Sequence, residues 1–266
     1  MRLALTFSAL LAASLAAGAA QAAPCGNDAG GFAAWKQQFA AEAAAQGVGQ
    51  RGLAALAATQ YAQRTINADR NQKSFRYPLD EFLRIRGADT IVAQGRQRIA
   101  RNPAFYTSLE AAFGVPASVI DAIPGMETGF GNFMGDANVI SAITTLAYDC
   151  RRTDFFVPHA MAALKLVDQG ALSANTVGAM HGEVGHTQFL PGNVLSFGVD
   201  GDGNGVVDLT NITDSLASTA NFLRAKGWRT GAGYQPGEPN FDVIRAWNAA
   251  EVYQQAIALM AARIDG

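Results

Sequence analysis

Apolar residues recur at helical spacing along nearly the whole chain, and clear strand signals are scarce. A chain patterned this way buries its apolar faces by packing helix on helix, which predicts a mainly α fold with few short strands. Phe32 to Gln46 reads as an Ala-rich amphipathic helix, and Arg51 to Ala58 as a short second one. Leu79 to Ala100 is a long helical stretch softened at Gly87 and Gly95, and Pro103 to Phe113 is another helix. Pro116 opens the next, filled by Ala117 to Ile123. Val139 to Tyr148, Phe155 to Asp168, a short helix from Pro191, Ile212 to Lys226 and Trp247 to Ile264 complete the set. The stretches 69–78, 178–190, 200–208 and 231–239 read as loops, and no internal repeat is present.

The N-terminus stands apart from this pattern. Arg2, an apolar run from Leu3 to Leu15 and the small-residue site Ala20-Gln21-Ala22 predict a cleaved signal peptide over 1–22. Residues 23–266 are then the mature domain, with a helical N-terminal part. No later segment is long and apolar enough to span a bilayer, so a soluble exported protein is expected. In an oxidising compartment the only two cysteines, Cys25 and Cys150, are expected to form a disulfide, two free buried thiols being the alternative. The chain carries 20 Lys+Arg against 22 Asp+Glu, a net charge of −2. That balance argues against nucleic acid and anionic membranes as the main partner.

One segment concentrates chemistry. Gly125-Met126-Glu127-Thr128-Gly129-Phe130-Gly131 places a carboxyl group among small and apolar residues at the end of a helix. The three glycines strip away side chains, so a bulky polymer can approach the backbone, while Met126 and Phe130 exclude water. Desolvation disfavours the charged form, so Glu127 is expected to hold its proton at neutral pH and to serve as a general acid. A helix-capping or ion-paired glutamate remains the competing reading of this segment alone.

Two further segments are dense in polar groups. Gly182 to Pro191 carries Glu183, His186 and Gln188 beside glycines; its amide and imidazole suit a sugar-binding cleft, and a buried turn is the alternative. Asp200 to Asp208 matches the start of an EF-hand loop, with Asp200, Asp202 and Asn204 at positions one, three and five and Gly205 at six. Val206 offers its carbonyl at seven. Position twelve is Asn211 rather than glutamate, and Asp214 takes that role if the loop is lengthened. A structural calcium ion is the cofactor expected, and a plain solvated turn the alternative. His159, His181 and His186 are the only histidines and form no zinc pattern; a serine-hydrolase elbow and nucleotide-binding loops are absent.

These segments occur in a familiar order. Gly125 to Gly131 is followed by Leu146-Ala147-Tyr148-Asp149 with Arg151, Arg152, Phe155 and Phe156, then by Gly185 to Pro191 and Val199 to Leu209. Asp214 to Leu223 ends in Gly227-Trp228, Asp69-Arg70-Asn71-Gln72 with Phe75 lies upstream, and Ala246 to Tyr253 lies near the end. Over residues 30 to 264 the chain resembles the B-type lytic murein transglycosylases, whose core is lysozyme-like. The resemblance implies an α+β lysozyme-like fold and Glu127 as the sole catalytic carboxylate. It also implies Gln188 as a cleft contact; His186, Glu183, Tyr148, Asn248 and Tyr253 are further candidate substrate contacts in these segments. Calcium in a lengthened EF-hand would be held by Asp200, Asp202, Asn204, Val206 and Asp214, and no cofactor is needed for catalysis.

The implied partner is the glycan strand of peptidoglycan, with other cell-wall enzymes as candidate protein partners. The implied setting is a monomer in the periplasm of a Gram-negative bacterium. The chain departs from the family at 179–183: Ala179 and Met180 stand for the usual serine and tryptophan, and Glu183 for an alanine. A hydrolytic muramidase using Glu183 as second carboxylate, or a non-catalytic peptidoglycan-binding protein, are the rival readings.

Overall fold

The computed structural model of the protein describes residues 23–71 and 77–266. The expected signal peptide (1–22), Gln72 and Phe75 lie outside the described residues. Four helices come first: α1 (Phe32–Ala45), α2 (Gln50–Ala58), α3 (Gln63–Arg70) and α4 (Leu79–Arg86). They are followed by α5 (Ala88–Arg101), α6 (Pro103–Phe113) and α7 (Ala117–Thr128). Beyond α7 run β1 (Ala137–Asn138), α8 (Val139–Tyr148), α9 (Thr153–Gln169) and β2 (Val177–Gly178). The last part holds α10 (Pro191–Phe197), α11 (Ile212–Ala225), α12 (Phe241–Trp247) and α13 (Glu251–Asp265). The two short strands pair antiparallel, Ala137 opposite Gly178 and Asn138 opposite Val177.

Helix α7 is the axis of the molecule. Every one of its residues except Glu127 is buried, and it packs against α5, α6, α11 and α13. A helix apolar on all sides can be stable only with such complete cover. Its one buried charge is Asp121, which accepts hydrogen bonds from Arg98 Nε (3.1 Å) on α5 and Tyr106 Oη (2.6 Å) on α6. Burial pushes this carboxyl group's pKa up, and the Arg98 charge and the two hydrogen bonds offset part of that push.

Three boundaries differ from the periodicity. The stretch 79–100 is two helices, because Gly87 adopts φ 70° and its N–H closes α4 onto the Arg84 carbonyl. Gly95 stays inside α5; a Cβ there would lie 2.8 Å from Ile264 Cδ1, so the glycine admits α13. Asp69 and Arg70 end α3 rather than open a loop, and their ion pairs to residues beyond α8 supply what the weak apolar pattern of Gln63–Arg70 lacks. The final helical stretch is likewise two helices, α12 ending at Trp247 and α13 starting at Glu251, with Asn248 extended between them.

Cys25 and Cys150 are bonded across a sequence separation of 125. Beside the bridge Gly26 N–H donates to the Tyr148 carbonyl and Cys150 N–H donates to the Gly26 carbonyl, both at 3.0 Å. Reduction of the bridge, or paired Cys→Ser substitution, is expected to lower the unfolding midpoint by about 10 °C, from about 4 kcal/mol of lost loop constraint. Calorimetry with and without reductant measures it, and coincident melting curves would contradict it.

Candidate active site

Glu127 lies in the last turn of α7. Gly129, at φ 57°, ends the helix, and the N–H groups of Gly129 and Phe130 turn back to the carbonyls of Gly125 (3.1 Å) and Pro124 (3.0 Å). Two donors from the end of the chain then hold the carboxyl group. Trp247 Nε1 donates to Glu127 Oε1 at 3.1 Å, and Tyr253 Oη donates to the same oxygen at 2.7 Å. No hydrogen bond within the described residues engages Oε2.

The side chain is partly open to a cleft and enclosed by protein elsewhere. Burial pushes its pKa above the ordinary 4.5 and outweighs the opposing effect of the Tyr253 and Trp247 hydrogen bonds. The nearby Glu183 charge pushes the same way, and Arg86 opposes it. A neutral carboxylic acid has one O–H and one carbonyl oxygen. Both protein donors require a lone pair on Oε1, so the proton is assigned to Oε2. In the protonated form, the O–H of Glu127 therefore lies on the oxygen that Trp247 and Tyr253 leave unengaged.

The cleft has a volume of about 540 Å³. Its apolar lining includes Phe133, Phe189, Phe222 and Trp247, and the last three form an edge-to-face cluster with ring centroids 5.1–5.9 Å apart. Its polar lining includes Asp136, His181, Glu183, Gln188, Asn193 and Asn248. Glu183 Oε2 accepts the His181 N–H at 3.1 Å, and Oε1 lies 3.5 Å from His181 Nδ1. His181 Nε2 is 4.0 Å from buried Asp69, which Arg151 and Arg152 also engage. Gln188 sits at φ 55°, uncommon for a residue with a side chain. Its Nε2 donates to the carbonyls of Gly185 (2.8 Å) and Met134 (3.3 Å), which keeps the amide oxygen as an acceptor.

Glu127, Glu183, Gln188 and Asn248 thus meet in one cleft, and three other expected contacts do not belong to its lining. Tyr148 is buried against Phe32, Trp35 and Tyr61, and its ring fills the space over Gly26 and Gly31. As the last residue of α8 it faces α1 and the disulfide. His186 turns away as well: its ring packs on Gly131, Nε2 pairs with the Thr210 carbonyl at 3.0 Å, and its own carbonyl accepts the Thr128 hydroxyl at 2.8 Å. Tyr253 is buried behind Glu127 and orients the acid instead of lining the cleft.

The glycines also serve a different purpose from open access. A Cβ on Gly125 would come 2.5 Å from Ile91 Cγ2, and one on Gly131 would come 2.3 Å from the His186 ring. They permit close packing, and Gly129 permits the helix stop. Trp247 is the partner that motif reading missed. Its only signal was its place in the Ala246–Tyr253 segment, which says nothing of a carboxyl group 120 residues away.

The acidic loop is a separate site. One oxygen each from Asp200, Asp202 and Asp214 lie within 4.8 Å of one another. Asp214 reaches in, fully buried, from the first turn of α11; its Oδ1 accepts Gly201 N–H (2.9 Å) and its Oδ2 accepts Asp208 N–H (2.8 Å). Asn211 is unavailable at the twelfth position because its side chain caps α11 through Thr213 N–H. Asn204 Oδ1 accepts the Val206 N–H at 2.9 Å. The Gly205 N–H, with those of Gly203 and Asn204, holds Asp200 below the usual carboxylate range. An all-oxygen set with three converging carboxylates fits a hard divalent cation.

A helical fold around a buried helix that ends in one enclosed carboxylic acid on a cleft defines a lysozyme-like protein. The family described as "Transglycosylase SLT domain" matches residues 31–236, and the chain belongs to it. It is 32% identical over 137 residues to membrane-bound lytic murein transglycosylase B of Escherichia coli (strain K12). That match takes in 48% of this chain and 38% of the relative, so it spans well under half of the relative's length. SltB3 of Pseudomonas aeruginosa, solved in complex with NAG-NAM-pentapeptide, superposes with a TM-score of 0.81 at 28% identity, covering 88% of this chain and 80% of that one. The Escherichia coli lytic transglycosylase Slt35 in complex with calcium superposes with a TM-score of 0.74 at 20% identity, covering 91% and 96%, a likeness of fold.

The raised pKa of Glu127 has a sign that stability can test. The folded state holds this proton more tightly than the unfolded chain, so stability is lost as pH rises from about 4.5 toward the folded value. Glu127→Gln keeps an acceptor for Trp247 and Tyr253 and carries no charge. It is expected to melt above the wild type at pH 7.5 and close to it at pH 3.5. Thermal melts at both pH values decide the matter, and a wild type as stable as the variant at pH 7.5 would refute the buried-acid assignment.

Proposed function

We propose that the protein is a peptidoglycan lytic transglycosylase that cleaves the β-1,4 bond between N-acetylmuramic acid and N-acetylglucosamine without water. The observation that carries this reading is the single neutral acid, Glu127, enclosed on one oxygen by Trp247 and Tyr253 and open on the other. Membership of the SLT family and the likeness to SltB3, a protein solved with a NAG-NAM-peptide, support the same substrate.

The residues suggest the following chemistry. Glu127 gives its Oε2 proton to the bridging oxygen as the C1–O bond of the muramic residue breaks. Positive charge develops at C1, and the sugar's own 2-acetamido group shields it. Glu127, now a carboxylate stabilised by the Trp247 and Tyr253 donors, takes the proton of the muramic 6-hydroxyl. O6 bonds to C1, closing a 1,6-anhydro ring, and Glu127 is protonated again. Substrate assistance makes a second enzyme carboxylate unnecessary, unlike the common two-carboxylate scheme. The cleft contacts expected for the sugars are Gln188 through its amide oxygen, Asn248 and Glu183. Hydrolysis would instead need Glu183 to activate water, and Glu183 is engaged by the backbone and ring of His181.

The reading includes export to the periplasm with residues 1–22 removed. Its support is the N-terminal apolar run and the Cys25–Cys150 bridge, which persists in an oxidising compartment. No helix among the described residues is long and apolar enough to cross a membrane. A monomer suffices, since one chain supplies the whole cleft. Calcium is proposed as a structural ion held by Asp200, Asp202 and Asp214, with Asn204 and the Val206 carbonyl completing the set. Bound there, its two positive charges would offset most of the charge of the three carboxylates.

Purified sacculi treated with the enzyme are expected to release muropeptides lighter than hydrolysis products by about 18 Da, one water, by mass spectrometry. Glu127→Gln should lose at least about a hundredfold in rate. Hydrated products would instead make the protein a muramidase. For the ion, saturating calcium is expected to raise the melting temperature by about 5 °C or more in the wild type and not in Asp214→Asn. Equal responses of the two proteins would remove the site.

A further inference from the structure

The cleft wall holds two carboxylates besides Glu127 and, among the described residues, no lysine or arginine. Asp136 has a cationic partner just outside the lining, Arg64, at 3.1 Å. Glu183 has none: no lysine or arginine among the described residues lies within ion-pair distance, and His181 alone engages its carboxylate. The Arg152 charge is felt nearby, but that guanidinium is bonded to Asp69 at 3.1 Å and lies over the rings of Phe155 and Phe156. The His181 ring is shared in turn, 3.5 Å from Glu183 and 4.0 Å from Asp69.

Glu183 is also firmly mounted. Gly182 turns the chain at φ 85°, its N–H donates to the Ala179 carbonyl at 3.0 Å, and Ala179 N–H donates to the Glu183 carbonyl at 2.9 Å. The Glu183 side chain is 24% exposed and lines the cleft, so a bound polymer strips water from its charge. That is costly unless the polymer brings an opposite charge. Neutral hydroxyl and amide groups are already served by Gln188, Asn193 and Asn248. The family resemblance places an alanine at this position, so bond cleavage needs no charge here, and the carboxylate points to selectivity.

We propose that Glu183 pairs with the 2-ammonium group of a glucosamine that lacks its acetyl group, and so directs the enzyme to partly de-N-acetylated strands. This assignment rests on the glycan-cleaving reading above. The basic group that a sugar ring of this polymer can carry is the amine left at C2 when the acetyl is absent. The muramic acetamide is used to shield C1, so the free amine belongs to glucosamine. Oε2 of Glu183 accepts the His181 N–H, and each carboxylate oxygen keeps a lone pair for the ammonium. An ammonium brought near Glu127 favours its charged form, and the Glu183 carboxylate beside it offsets that effect.

The test uses glycan strands stripped of peptide by an amidase, so that a ring amine is the one cation present. One half is left acetylated and the other is treated with a glucosamine deacetylase. At neutral pH, where such an amine largely keeps its proton, the wild type is expected to show about tenfold higher kcat/KM on the deacetylated strands. Glu183→Gln keeps an acceptor for the His181 N–H and removes the charge, and it should bring that ratio to about one. A wild-type ratio of one or below overturns the proposal. A ratio unchanged in the variant, with turnover of both strands lowered alike, overturns it too, by assigning Glu183 to sugar contact or to the chemistry. Calorimetric titration of Glu127→Gln protein with β-1,4 tetrasaccharides of glucosamine and of N-acetylglucosamine gives a readout independent of turnover. Tighter binding of the amine form by about tenfold, lost in the Glu127→Gln, Glu183→Gln double variant and reduced by high salt, supports the proposal. Equal affinities, or no binding of either, count against it. A wild type that forms no anhydro products from either strand refutes the glycan-cleaving reading instead, and the titration then decides the role of Glu183 alone.

Discussion

The enclosure of one carboxyl group at the end of a fully buried helix is the constraint on which the rest of the structure depends. Helix α7 can place Glu127 at the cleft only because four other helices cover its remaining residues. The same cover raises the pKa of Glu127. Trp247 and Tyr253 arrive from opposite sides of the α12–α13 break, and that break at Asn248 is what lets both reach one oxygen. Holding a carboxyl group away from water costs stability at neutral pH, which is how an acid site of this kind trades stability against reactivity.

Around this acid, polar contacts fix the cleft from two directions. From one side, Asp69 and Asp149, both buried, are met by Arg70, Arg151 and Arg152, next to the disulfide. Through His181 this cluster reaches Glu183 in the cleft. From the other side, Thr128 bonds to the His186 carbonyl, His186 bonds to the Leu209 and Thr210 carbonyls, and Asp208 leads into the acidic loop. His186 is therefore a structural tie between the end of α7 and that loop. This accounts for a histidine beside a cleft contact that itself takes no place in the cleft.

Much of this was legible locally. The helical periodicity gave most of the helices, because covering an apolar face requires only spacing along one segment. The Glu127 segment declared itself by composition, and the acidic loop by its alternating oxygens. The cysteine pairing was legible because only two cysteines exist in a chain with an export-like N-terminus. The errors came from residues judged by their neighbours in sequence. Tyr148 and His186 sit within informative segments, yet helix phase directs one to the aromatic core and turn geometry directs the other to Thr210. Gly125 and Gly131 looked like open ground and are instead points of closest packing.

The sequence by itself determined the class of fold and the disulfide partners, and it singled out Glu127 and the acidic residues of the 200–214 loop for attention, since each follows from residue type and short-range spacing. Only the tertiary structure decided which groups touch Glu127 and which of its oxygens is free. Those facts depend on contacts between residues as far apart as 126 positions, as from Glu127 to Tyr253. Such contacts are set by how whole helices pack, a joint property of many side chains that no single segment records.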